Sequence, residues 1–130
     1  MPQVKIYGLK EQLNPIKAEL SVMIHSCMMD ALQYPIHKRA HRFFPMDVEN
    51  FYYPPEPGRT DRYTIIEISM FEGRSIEAKK QLIRLLFDRL DKLGICGQDL
   101  EITIFETPKH NWGFRGLPGD EHILNYQVNV

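Results

Sequence analysis

Cysteine is scarce in this chain, net charge is nearly absent, and no long apolar run occurs. The two cysteines, Cys27 and Cys96, lie far apart, without metal-ligand or redox spacing. They imply reduced thiols and a cytoplasmic protein. Sixteen Lys and Arg stand against seventeen Asp and Glu, a formal net charge of −1. That balance excludes the basic footprint of a nucleic-acid partner or an anionic membrane surface. No stretch approaches the roughly 20 apolar residues that span a bilayer. No basic flank followed by an apolar core opens the chain, so no secretory leader is expected. A serine or cysteine nucleophile in a motif with a base is also missing. His37 and His41 are four apart, but Pro35 and an extended segment deny them the helix that would aim both at one metal. No metal and no cofactor are expected.

What is present begins with Pro2. It follows Met1 and precedes the alternating segment Gln3-Val4-Lys5-Ile6-Tyr7. Removal of Met1 exposes a prolyl secondary amine, where an ordinary terminal amine has a pKa of about 7.7–8.0. An apolar pocket or neighbouring cations lower that value. The free base then serves as a general base or an imine-forming nucleophile. While Met1 remains, the same nitrogen is an amide and has no basicity.

The rest of the chain reads as one unit written twice. Residues Gln3 to Gly8 alternate like a strand. Asn14-Pro15 signals a helix start, and Ile16, Leu20, Met23, Ile24, Cys27, Met28 and Ala31 mark its apolar face until Tyr34-Pro35 stops it. A strand follows from His41 to Phe44. The proline-rich stretch 53–61 is a linker. Tyr63 to Met70 is a buried strand, Ser75 an N-cap, and Ala78 to Leu93 a second amphipathic helix closed by Gly94. Leu100 to Phe105 alternates as a last strand. The organisation is a single domain, 1–130, with pseudo-repeats 2–46 and 62–106 and a tail, 107–130, read as a short hairpin. Right-handed βαβ crossovers put both helices on one face of a four-stranded α+β sheet. The other face is expected to be apolar and covered by oligomerisation.

Pro2 ahead of a first strand, Phe71-Glu72-Gly73-Arg74-Ser75 opening the second helix, Lys79-Lys80-Gln81 after it, and Asn111-Trp112-Gly113-Phe114-Arg115-Gly116 together resemble the tautomerase superfamily, the fold of 4-oxalocrotonate tautomerase and macrophage migration inhibitory factor. The long, fused-unit members related to malonate semialdehyde decarboxylase are the most similar. The resemblance spans essentially the whole chain. It implies a homotrimer acting on a small carboxylic acid, with Pro2 as the catalytic amine and Arg74 holding the substrate carboxylate. It implies substrate-binding roles for Arg42, Trp112 and Phe114. A planar guanidinium suits the carboxylate because its fork meets two oxygens and stays charged. Two positions depart from the decarboxylase pattern: Lys38 stands where its Asp would fall, and Met70-Phe71-Glu72 supplies no second arginine. Keto–enol tautomerisation of a 2-oxo or enol acid is therefore the expected activity. The alternatives are a non-catalytic trimer that binds small acids, and a decarboxylase or hydratase of a 3-oxo acid.

Overall fold

A computed structural model describes residues 2–130. The strand β1 (Gln3–Leu9) leads through a single helical turn, α1 (Lys10–Leu13), into α2 (Lys17–Leu32) and back to β2 (His41–Met46). An irregular segment then connects to β3 (Thr64–Phe71), α3 (Ile76–Asp91) and β4 (Leu100–Thr107). The four strands lie in the order β2-β1-β3-β4. Within each β-α-β unit the strands are parallel, and β1 meets β3 antiparallel at the centre.

Period-two burial sets the layering. Val4, Ile6, Ile66, Ile68 and Met70 point to one face and are fully buried there. Leu20, Ile24, Cys27 and Met28 of α2 and Leu82, Leu86 and Leu90 of α3 cover them. Arg89 ties the helices together, donating to Ser26 Oγ at 2.9 Å and to Asp30 Oδ2 at 2.6 Å. Cys27 packs in this core as a small apolar residue.

The helix boundaries follow local chemistry, with one exception. Ser75 caps α3, its hydroxyl accepting from the Ala78 amide at 3.1 Å. Gly94, at φ +86°, turns the chain after α3, a conformation that side chains with a Cβ resist. The first helix departs from the expected start at Asn14-Pro15. Leu9 leads directly into α1, and α2 begins only at Lys17, after a break at 14–16. Pro45 lies inside β2 rather than ending it, paired with Gly8. An edge strand tolerates this because the missing amide would face outward.

The helix-free face corrects the expectation of an apolar surface. Gln3, Lys5, Arg42, Glu67, Glu101 and Thr103 share it with Tyr7, Phe44 and Phe105. Tyr7 stacks on Phe44 with centroids 4.8 Å apart and donates to Glu67 Oε1 at 2.8 Å. The charges at the outward strand positions make the face mixed. The proline-rich connection is likewise anchored: buried Asp99 accepts from the Thr60 amide and hydroxyl, both at 2.6 Å.

Candidate active site

Strand directions gather one end of the sheet. β1 and β2 begin there, whereas β3 and β4 end there. Pro2 precedes the Gln3–Ser69 pair, keeps the parity of Val4 and Ile6, and is buried. The chain leaving β3 turns through Phe71-Glu72-Gly73-Arg74 into α3, and Glu72 donates its amide to Thr107 O at 2.9 Å. Pro2 and Arg74 therefore occupy the same end, as do the last residues of β4.

Arg74 is 5 % exposed. Its Nη1 donates to Phe71 O at 3.2 Å, while Nε and Nη2 are buried without a partner among the described residues. Burial pushes its pKa down, and the neighbouring Tyr126, Tyr34 and Glu106 oppose that shift. A guanidinium nevertheless stays charged in a protein. Glu106 is engaged elsewhere, accepting from Lys79 at 2.7 Å. Lys79 of α3 is thus drawn into a pair at the sheet end.

Two tyrosines close over the guanidinium. Tyr34 comes from just beyond α2 and Tyr126 from the C-terminal segment, with their rings edge to face at 4.9 Å. The Arg74 Cζ atom lies 6.0 Å from the Tyr126 ring centroid. The two hydroxyls influence each other's titration, and among the described residues neither has a partner in hydrogen-bonding geometry. Burial raises the pKa of both phenols. The segment carrying Tyr126 is held by the Ser75 amide, which donates to Val130 O at 3.0 Å. It approaches so closely that a Cβ on Gly73 would lie 2.8 Å from Asn129 Oδ1 and 3.0 Å from Val128 Cγ1.

Trp112 and Phe114 belong to a small hairpin, β5 (Gly113–Phe114) with β6 (Leu117–Pro118). Both rings pack on buried Phe71, at 5.2 and 6.3 Å between centroids, and Phe71 in turn presents its carbonyl to Arg74. Phe114 stacks on His122 at 4.2 Å, and the His122 ring bonds Phe114 O through Nε2 at 2.6 Å. Arg42 lies apart from this group. It is exposed on the helix-free face, opposite Lys5, and donates to Gln3 Oε1 at 2.8 Å. Thus Pro2, Arg74, Trp112 and Phe114 come to one end of one chain, while Arg42 stands exposed on the helix-free face of the edge strand β2, with β1 between it and β3.

His41, at the start of β2, points to the helices rather than into a site. Its Nδ1 meets Ser21 Oγ at 2.8 Å, and its ring lies 6.0 Å from that of buried His25. An open cavity of about 520 Å³ is lined by His25, His37 and Arg39 with Val22, Met29 and Ile36. Among the described residues no group of three His, Cys, Asp or Glu side chains could hold a metal. No helix of the described chain is long and apolar enough to cross a membrane.

No sequence signal marks Tyr34 or Tyr126 as a site residue: Tyr34 is half of a helix-stopping Tyr-Pro pair, and Tyr126 lies in a tail without periodicity. Only tertiary folding joins them, and no spacing announces it.

The family described as "Tautomerase enzyme" matches residues 38–115. A 2-hydroxymuconate tautomerase of Comamonas testosteroni is 36% identical over 56 residues, covering 42% of this chain and 89% of the relative. A probable tautomerase of Bacillus subtilis (strain 168) is 25% identical over 118 residues, covering 88% and 93% respectively. Among solved structures, a malonate semialdehyde decarboxylase inhibited by 3-bromopropiolate superposes with a TM-score of 0.77 at 21% identity, over 86% of this chain and 88% of that one. A fused 4-OT, an asymmetric trimer, superposes with a TM-score of 0.77 at 19% identity, over 91% and 96%. At these identities the two structures bear on the fold, which is the one expected from the sequence.

Proposed function

The chain belongs to the tautomerase family, and from that premise we propose that it moves a proton between carbon and oxygen of a small 2-oxo or enol carboxylic acid. Pro2, once freed from Met1, is the base. Met1 itself lies outside the described residues. The amine takes a proton from the carbon beside the carbonyl and returns it to the other end of the enol system. Arg74 holds the carboxylate and stabilises the negative charge that grows on oxygen as the carbon loses its proton. Trp112 and Phe114 keep water from that end of the sheet. Arg42, exposed and on the opposite face, fits a site completed by a neighbouring chain, as in a homotrimer of the kind that the fused 4-OT forms.

One observation carries the reading: Pro2 and the incompletely paired Arg74 are both buried at one sheet end. Burial favours the uncharged amine and strengthens the field of the guanidinium. Ketonisation of phenylenolpyruvate or 2-hydroxymuconate by Met1-free protein tests it. Rates equal to those of Pro2→Ala would refute it.

A second reading rests on the Met1–Pro2 bond. If the bond persists, the nitrogen stays an amide, and the protein binds small acids at Arg74 without turning them over. Intact mass of protein from its native source separates the two, since loss of one methionine marks the enzyme. Decarboxylation is the weaker option because Lys38 stands where the decarboxylase has its Asp; carbon dioxide release by Lys38→Asp alone would revive it.

A further inference from the structure

Four of the buried polar atoms that the fold leaves without partners converge on one place. They are Arg74 Nε and Nη2, the Tyr34 hydroxyl and the Tyr126 hydroxyl. They arrive from three separate parts of the chain: the end of α2, the entrance to α3 and the C-terminal segment. The rings and the guanidinium are in mutual reach, at 4.9 Å between the two tyrosine centroids and 6.0 Å from Arg74 Cζ to Tyr126. Glu106, the carboxylate whose charge Arg74 feels, gives it no hydrogen bond and is held by Lys79. A charge buried in this state is costly, and so is each unpaired hydroxyl. What is missing is acceptors, and the donors present outnumber what one small neutral group would use.

We propose that Tyr34 and Tyr126 are specificity-determining residues of the Arg74 site, their hydroxyls donating to the 2-oxygen of a bound 2-oxo or enol acid while Arg74 holds its carboxylate. The proposal rests on the reading that the site takes such acids. The unpaired Nε–Nη2 edge of Arg74 is a fork that matches a carboxylate. In a 2-oxo acid the next acceptor sits on the adjacent carbon, where a second set of donors is needed. Negative charge collects on that oxygen as the enolate forms, so a hydroxyl aimed at it gains strength as the reaction proceeds. Burial holds both phenols above their usual pKa, which keeps them protonated and donating. An acid without the 2-oxygen satisfies Arg74 alone and leaves two hydroxyls unpaired, the situation that gives a site its discrimination. Arg74 is 5 % exposed, with the Tyr126 ring centroid 6.0 Å from its Cζ.

The test is calorimetric titration of the full, Met1-free chain with phenylpyruvate and with 3-phenylpropionate, which has the same skeleton without the 2-oxygen. Each hydroxyl is expected to contribute about tenfold to the preference for the oxo acid, so the wild-type ratio is about a hundredfold. Tyr34→Phe and Tyr126→Phe should each lower the ratio about tenfold. Their unliganded thermal midpoints should hold or rise, because the deleted hydroxyls have no partner. Equal binding of the two acids by wild type overturns the proposal, as does a ratio untouched by both substitutions. A fall in midpoint with an unchanged ratio also overturns it and makes the hydroxyls structural. Phenylenolpyruvate turnover on the same samples separates this from the broader reading. Activity with an unaltered ratio keeps the tautomerase and removes the tyrosines. No activity with a falling ratio keeps the tyrosines and removes the proton transfer.

Discussion

Arg74 is where function and stability pull in opposite directions. Its charge is desolvated, and its one hydrogen bond among the described residues is to Phe71 O. Exchange of a buried charge for an apolar side chain of similar volume is often neutral or stabilising. Arg74→Met is therefore expected to leave urea-unfolding stability unchanged or raise it by about 1 kcal/mol, while turnover drops at least ~100-fold. A large loss of stability would mean that the guanidinium is a structural element after all. His41 gives a pH signature. Burial first, then His25 and Arg39, pushes its pKa down to about 4 from the ordinary 6.5. The unfolded chain binds this proton near 6.5 and the folded chain only near 4, so the unfolded state holds more protons between those values. The contribution is fully present above 6.5, fades as the pH falls toward 4, and is constant below. Denaturant titrations at pH 7 and pH 5 should show a smaller acid loss in His41→Gln than in wild type.

At the scale of elements, what could be read from the sequence was whatever local chemistry decides. Ser75 caps and Gly94 stops α3 because a hydroxyl and a missing Cβ act on the nearest turn, whatever lies beyond. Alternation marked Gln3–Gly8 and Leu100–Phe105 as strands, and both lie in the sheet that the two helices cover. Asn14-Pro15 misled because a single turn of helix fits between Leu9 and the break, which no cap residue announces. Arg42 and Arg74 read alike as arginines, yet strand parity leaves Arg42 exposed on the helix-free face while the turn into α3 buries Arg74. The tyrosine pair could not be anticipated, since Tyr34 and Tyr126 meet only after the C-terminal segment crosses back to α3. Gly73 is the hinge of that crossing, at φ +131° with Asn129 and Val128 pressed against it. Gly73→Ala should cost about 1–3 kcal/mol and release the last residues, seen as faster carboxypeptidase digestion of the folded protein. Digestion at the wild-type rate would show that the segment is held without that close approach. Asp99 holds the proline-rich connection in the same manner. Asp99→Ala leaves the Thr60 amide unpaired and should cost roughly 2 kcal/mol in urea unfolding.

For the whole molecule, the decisive surface is the helix-free face of the sheet. It displays Lys5, Arg42, Glu67 and Glu101 around the stacked Tyr7–Phe44 pair. Such a face is soluble enough for a free chain and patterned enough to choose a partner, because opposite charges fix register while apolar rings supply area. The proposed homotrimer would give a native mass three times the 15.3 kDa of one chain. It should weaken as salt rises, because exposed ion pairs are screened. A species of one chain mass at micromolar concentration would refute the assembly, and Arg42 would then have no neighbouring pocket to complete.

Residues 2 and 130 emerge from the same edge of the protein, since Val130 is bonded at the entrance to α3 and Pro2 opens the strand beside it. A circularly permuted gene could therefore bridge these positions with a short spacer and begin instead at exposed Glu56. Such a protein would retain every packed layer while carrying its proline nitrogen permanently inside a peptide bond. It would be a catalyst's scaffold with the chemistry written out of it, and the cleanest reference against which to weigh the natural arrangement.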